Sequence, residues 1–327
     1  MRLNQRWFVW IILSLCVLAI PVAVLTQTSS PGKETKGTTN SLLSKFKDKI
    51  EVVHLSGMII DKTDGGVFSS STGSASSALK QLRKALKEDK VKAVLLRVNS
   101  PGGTVSTSQE LHAAVMELRK GGKPVVVSMG DLAASGGYYV SCAADRIYAN
   151  AGTLTGSIGV IMNLANFKGL ADKLGVEPEV IKSGAFKDIA SPYRKMSPEE
   201  KAILQGLIMD SYEQFTGAIA EGRKLPIEEV KRIADGRIYS GRQAVKLKLV
   251  DEIGTYSDAL AGLQKICREK YKVSADLAVD DNSSDSFLSK LLESSAGVGA
   301  APSLSIDKCL PSALNPSLGR QPLWLAE

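Results

Sequence analysis

Two apolar runs that each end in glycines constrain this chain most. Residues 91–98 (VKAVLLRV) lead directly into NSPGG at 99–103, and residues 124–129 (PVVVSM) lead into GDLAASGG at 130–137. Short β-branched runs bounded by turn residues read as buried strands, and a helical pattern over 107–120 separates these two. Strands that alternate with helices build a parallel sheet covered on both faces. The expected fold class is therefore α/β.

The alternation extends in both directions. Residues 50–60 (IEVVHLSGMII) read as a strand closed by a turn, 67–77 as a Ser/Gly loop, and Leu79, Leu82 and Leu86 mark a helix over 78–89. After the second glycine motif, 132–144 is expected as a short helix, and 146–149, 158–163 and 179–181 as further strands. Longer helical patterns cover 197–223 and 226–234. Beyond Asp276 the composition turns to Ser, Asp, Ala and Pro, which predicts a poorly ordered tail. No internal repeat is present, so the chain carries one catalytic unit.

The first residues predict an anchor. Arg2 and Arg6 precede an uncharged run over 7–25 that opens with Trp7 and Trp10. At 1.5 Å per residue such a helix spans roughly the 30 Å of bilayer hydrocarbon. The positive flank places the N-terminus in the cytoplasm and the body outside it. A cleaved secretory signal is the alternative, but its apolar region is normally shorter. A Ser/Thr/Gly/Lys-rich stretch over 26–49 then reads as a flexible tether.

The net charge is +7, yet the basic residues are interleaved with Asp and Glu, as in KQLRKALKED at 80–89, and no arginine-rich block occurs. Nucleic acid is not an expected partner. Four cysteines (Cys16, Cys142, Cys267 and Cys309) are widely spaced with no C-x-x-C, and H-E-x-x-H is missing. Neither a disulfide scaffold nor a metal site is indicated, and no cofactor is implied.

The chemistry concentrates at the two strand ends. Ser135 lies at a strand–helix junction between small residues, where a hydroxyl is accessible and a helix N-terminus favours negative charge. An ordinary helix cap reads the same way. Gly102 and Gly103, at the preceding strand end, offer backbone N–H groups for an oxyanion hole, and a plain Pro-Gly turn is the competing reading. A serine hydroxyl needs a base. The only histidines, His54 and His112, lie in the first strand and on the helix after NSPGG, and neither is well placed. Lysine is the other candidate, since a desolvated ammonium loses its proton more readily. VIKSGAFKD at 180–188 offers two, Lys182 at a solvated strand end and Lys187 in a loop after Gly-Ala-Phe, where Phe186 could shield it from water; by spacing alone an ordinary surface lysine reads the same way.

Taken together and in order, NSPGG, D-x-A-A-S-G-G-Y-Y with A-A-D after it, L-T-G-S-I-G-V, S-G-x-x-K-D and DGRIYSGRQA at 235–244 resemble the bacterial signal peptide peptidase A (protease IV) family over about residues 50–270. The short single-copy chain is similar to its half-size members. The resemblance implies a Clp-protease/crotonase-like spiral α/β fold and a Ser/Lys dyad. It puts the nucleophile on Ser135, the base on Lys187, the oxyanion glycine in the Gly102/Gly103 pair with Gly102 favoured, and a lysine-orienting serine on Ser157.

It further implies ring-like homo-oligomers in which serine and lysine come from different subunits, and substrates that are remnant signal peptides or misfolded membrane proteins. Leu132, Leu154 and Gly156 are candidate substrate-groove residues. The expected division is a cytoplasmic N-terminus (1–6), a transmembrane signal anchor (7–25), a linker (26–49), a protease domain (50–275) and a tail (276–327). The expected location is the bacterial cytoplasmic membrane with the catalytic domain outside. A crotonase-like acyl-CoA enzyme and a non-catalytic scaffold share the fold but need no such dyad.

Overall fold

The computed structural model of the chain describes residues 47–61 and 73–281, together with the backbone of a strand at 323–325. The expected anchor and nearly all of the linker and tail lie outside the described residues. Among those described, no helix is long and apolar enough to cross a membrane.

A mostly parallel sheet forms the centre. Its path runs β7 (Ile238–Ser240), β6 (Leu154–Gly156), β4 (Val125–Ala134), β2 (Val91–Ser100), β1 (Lys49–Ser56) and β9 (Ala278–Asp281). β5 (Arg146–Ala149) also pairs with β4, and β8 (Glu252–Ile253) pairs with β5. Only β6 and β7 run antiparallel within it. Alternate residues point to opposite faces. Val53, Leu55, Leu96, Val98, Val127 and Met129 pack with helices α1 (Ala75–Lys87), α2 (Val105–Lys120), α3 (Gly136–Ser141) and α5 (Pro198–Arg223). Ile50, Val52, Leu95 and Val126 pack on the other face with Ala259, Leu263 and Cys267 of α8 (Tyr256–Tyr271). Burial on both faces explains why these strands read as continuous apolar runs.

The remaining elements are α4 (Lys168–Leu174), α6 (Ile227–Ile233), α7 (Gly241–Lys246) and two short strands, β3 (Gly102–Thr104) and β10 (Leu323–Leu325), which pair antiparallel.

β4 changes partner along its length, and this positions the site. Val126–Met129 pair with β5, whereas Leu132–Ala134 pair with β6. On the other edge the ladder with β2 is irregular between Val98 and Ser100, bringing Ser100 opposite Ala133. Leu132 to Ala134 are therefore strand, not the helix expected from their composition. The helix starts only at Gly136.

Other expectations shift for equally local reasons. The first helix begins at Ala75, where the Ser74 side chain accepts from Ser77 N at 3.3 Å. Residues 158–163 and 179–181 are not strands of the sheet; Leu154–Gly156 takes that role. Ile181 is 96 % exposed, so its β-branched neighbourhood finds no sheet partner within the chain. Past the expected boundary at Asp276, Ala278–Asp281 still adds an edge strand to β1.

α5 lies close to the end of α3. A Cβ on Gly222 would sit 2.1 Å from the Cys142 carbonyl oxygen. Gly222→Ala is expected to cost about 1–3 kcal/mol by forcing the helix away from its seat. A urea unfolding midpoint equal to that of the unsubstituted chain would contradict this packing.

Candidate active site

Ser135 follows the last residue of β4 and precedes α3, with φ 52° and ψ −120°. A non-glycine residue held in such a conformation costs about 1–3 kcal/mol and persists only where its surroundings impose it. Here the surroundings are β6. The register pairs Ala134 with Gly156, and the Ser135 N–H donates to the Gly156 carbonyl at 2.8 Å. Ser135 occupies the N-cap position of α3, yet its side chain makes no capping hydrogen bond. Its Oγ is buried and has no hydrogen-bond partner among the described residues. The helix-cap reading of this serine therefore fails.

The backbone N–H groups expected as oxyanion donors differ in what they already engage. Gly102 has φ 104°, which favours glycine, but its N–H donates to Ser100 Oγ at 3.1 Å. The Ser135 N–H is committed to Gly156. Gly103 is different. Ile59 N donates to Gly102 O and Thr104 N donates to Ile59 O, both at 2.8 Å. Backbone groups alternate along a strand, so the Gly103 N–H and C=O face the opposite edge. There β10 runs antiparallel, with Trp324 opposite Gly103. The sequence suggested only a turn here; the extended conformation depends on Ile59 and β10.

Gly136 was not singled out by sequence. A Cβ on it would lie 2.5 Å from Ser108 Oγ, 3.2 Å from Gly103 N and 3.3 Å from Gly102 Cα. It is thus packed flat against β3. As the first residue of α3 its N–H has no intrahelical acceptor. Gly103 and Gly136 are thus in close backbone contact next to Ser135. The signal available in the sequence was position alone, a glycine directly after the nucleophile.

Ser157 comes next to Gly156 and shares the unusual backbone of Ser135, with φ 47°. It is buried, and its N–H donates to Arg237 O at 2.9 Å. Leu132 and Leu154 face each other across the β4–β6 ladder, and Leu154 is exposed. The chain thus brings Ser135, Gly102, Gly103, Leu132, Leu154, Gly156 and Ser157 into one neighbourhood. An open groove of about 630 Å³ lined by Asp61, Lys80, Arg83 and Glu110 contains none of them.

Lys187 is not brought to Ser135 within the single chain. It is exposed, in consecutive turns where Lys187 N donates to Gly184 O and Ile189 N to Phe186 O. Lys182 is also exposed, and its Nζ donates to Asp188 Oδ1 at 2.5 Å and to Ala185 O at 2.9 Å. Neither histidine engages Ser135, although His112 Nε2 is buried with no hydrogen-bond partner among the described residues. His54 Nε2 lies 3.0 Å from Asp281 Oδ1 at the β1–β9 edge. His112 stacks on Tyr139 with centroids 4.7 Å apart, and burial pushes its imidazole down to about 4. Neither bonds to Ser135 Oγ.

The sequence pattern of peptidase family S49 matches residues 117–269. The chain is 37 % identical to a putative signal peptide peptidase SppA of Enterococcus faecium, over 88 % of each chain. It is 44 % identical to a putative protease of Methanocaldococcus jannaschii, over 72 % of this chain and 76 % of that one. Protease 4 of Salmonella typhi is 38 % identical over 68 % of this chain, which corresponds to 35 % of protease 4.

A Cβ on Gly103 would lie 1.9 Å from the Ile59 carbonyl oxygen, so no larger residue fits without displacing β3. Gly103→Ala is expected to lower kcat for a peptide reporter by about 10²-fold or more, the loss typical of a misplaced oxyanion donor. Gly152→Ala, where the added methyl meets nothing within 4 Å, should stay within about twofold. Equal rates for the two variants would remove Gly103 from the site.

Proposed function

The chain belongs to the signal peptide peptidase A family (peptidase family S49) and is a serine-type peptidase, and we propose that Ser135 and Lys187 form its catalytic dyad across a contact between two copies. The observation that carries this reading is the state of Ser135: strained, buried, at a helix N-terminus, with an Oγ that nothing among the described residues of its own chain engages. A nucleophile needs a base within hydrogen-bond reach. His54 pairs with Asp281 and neither histidine bonds to Ser135 Oγ, and the lysine singled out by the family resemblance projects from the chain surface.

The surface that bears Lys187 supports a second copy as its partner. From 163 to 187 every residue except Ala171 is exposed. Leu170, Leu174, Val180, Ile181 and Phe186 are among them, at 40–96 % exposure. A contiguous apolar surface of this kind marks an interaction site. Packed against a neighbour, it would carry Lys187 out of water, which favours the neutral amine. A ring closed by head-to-tail contacts would then hold one such dyad at each interface.

In the proposed mechanism, neutral Lys187 of one copy takes the proton of Ser135 of the next as Oγ attacks a peptide carbonyl. The developing oxyanion lies on the N–H groups of Gly103 and Gly136, and Ser157 orients the lysine. Lys187 then returns the proton to the leaving amine, and water hydrolyses the acyl-enzyme. The outer edge of β3 supports binding of the substrate as an added strand, because it already accepts an extended antiparallel segment in β10. Leu132 and Leu154 would flank an apolar side chain. Remnant signal peptides, which are apolar and extended when unfolded, suit this groove, in keeping with the name of the enterococcal relative. Anchorage through residues 7–25 would hold the site beside the bilayer.

Mixed assemblies test the dyad and its subunit arrangement at once. Ser135→Ala and Lys187→Ala are each expected to be inactive. Co-expressed in equal amounts, they should regain roughly one active site in four, since some interfaces pair an intact serine with an intact lysine. An active Lys187→Ala enzyme would sink the dyad. A co-assembled mixture with no activity would sink the shared site.

A further inference from the structure

The turn that bears Lys187 is held by a chain of charged groups. Asp188, the residue directly after Lys187, is mostly buried and accepts from two cations. Arg194 Nε donates to its Oδ2 at 2.8 Å, and Lys182 Nζ donates to its Oδ1 at 2.5 Å. Arg194 Nη2 also donates to the Asp188 backbone carbonyl at 3.1 Å, so one guanidinium grips main chain and side chain together. The other side of the fork is fixed. Arg194 binds both carboxylate oxygens of Glu200, with Nη1 to Oε2 at 2.7 Å. Glu200 is buried at the start of α5, where its carboxylate accepts from Ser197 N at 2.8 Å and Ser197 Oγ accepts from Glu200 N at 3.1 Å. Only a planar, bidentate donor joins two carboxylates in this way.

Geometry and charge both bear on the neighbouring amine. We propose that Arg194 is a positioning residue that fixes the Lys187 turn to α5 and neutralises Asp188, so that Lys187 can act as a neutral base. This inference rests on Lys187 being the base. A carboxylate one residue away favours the ammonium form of a lysine, and that influence is cancelled only while the carboxylate is itself paired. The pairing is strong here: the Arg194 and Lys182 hydrogen bonds hold the Asp188 carboxyl well below the usual carboxylate range. The charged groups around the turn are Lys182 and Asp188 from its own segment, Arg194 beyond it, and Glu200 from α5. When Arg194 is removed, Glu200 keeps its helix N-terminal partner and Asp188 keeps only Lys182, so the turn carries one uncompensated negative charge.

The sign follows directly. Without Arg194, the Asp188 charge stabilises protonated Lys187, and a higher pH is needed to deprotonate it. The test is the pH dependence of kcat/KM for a Leu/Ala-rich quenched peptide, measured on the full-length assembled enzyme. Arg194→Ala should move the acid limb up by about 0.5–1 pH unit, lowering the rate roughly 3–10-fold at a fixed pH on that limb, with KM nearly unchanged. Adding Asp188→Asn should return the limb toward its original position, which a purely structural loss would not do. Asp188→Asn alone should move it down, because Lys182 is then unopposed while Arg194 stays paired with Glu200; this variant decides the matter if Arg194→Ala does not fold or assemble. An unshifted limb in Asp188→Asn, or no return in the double variant, overturns the proposal. Activity in Lys187→Ala would instead overturn the dyad itself.

Discussion

A single backbone hydrogen bond, from the Ser135 N–H to the Gly156 carbonyl, orders the whole site. It extends the β4–β6 ladder one residue beyond Ala134 and Gly156 and holds Ser135 where a non-glycine backbone is strained. That conformation turns the chain out of the sheet and into α3 at once. The hydroxyl is left at the N-cap without serving as a cap. The same bond engages the Ser135 N–H within the sheet. Strain at one residue is thus supported by a sheet that is buried on both faces and cannot yield.

The close approach of β3 to α3 has the same origin. Glycines at 102, 103 and 136 let three backbone segments meet with no side chain between them. A parallel sheet with helices on both faces supplies the rigid frame, and the partner switch of β4 opens the gap in which a reacting carbonyl would lie. Lys187, the proposed base, lies outside this frame, on a surface segment with exposed apolar residues. Separating nucleophile and base on different chains would make activity conditional on assembly. A lone copy would carry an unreactive serine.

Much of this was legible in the sequence. The apolar runs of β2 and β4 announced buried parallel strands, and the glycine clusters that end them marked the site. Ser135 stood out by its small neighbours. What escaped depended on partners distant in sequence. Gly102 read as an oxyanion donor because nothing local shows that Ser100 Oγ engages its N–H. Residues 158–163 and 179–181 read as strands because β-branched residues suit a half-buried surface of any kind, including one that faces another copy. Lys187 could not be separated from Lys182 by spacing; the family resemblance chose between them. The Asp188–Arg194–Glu200 chain was hidden because each charge alone looks like surface.

The account stands on one chemical claim, that the amine of Lys187 activates the hydroxyl of Ser135. Reaction with a serine-directed fluorophosphonate, followed by mass mapping of the modified peptide, addresses it most directly. The adduct is predicted on Ser135 in the intact enzyme and should be lost in an assembled Lys187→Ala variant. Labelling at another serine, or undiminished labelling of Ser135 without the lysine, would contradict it.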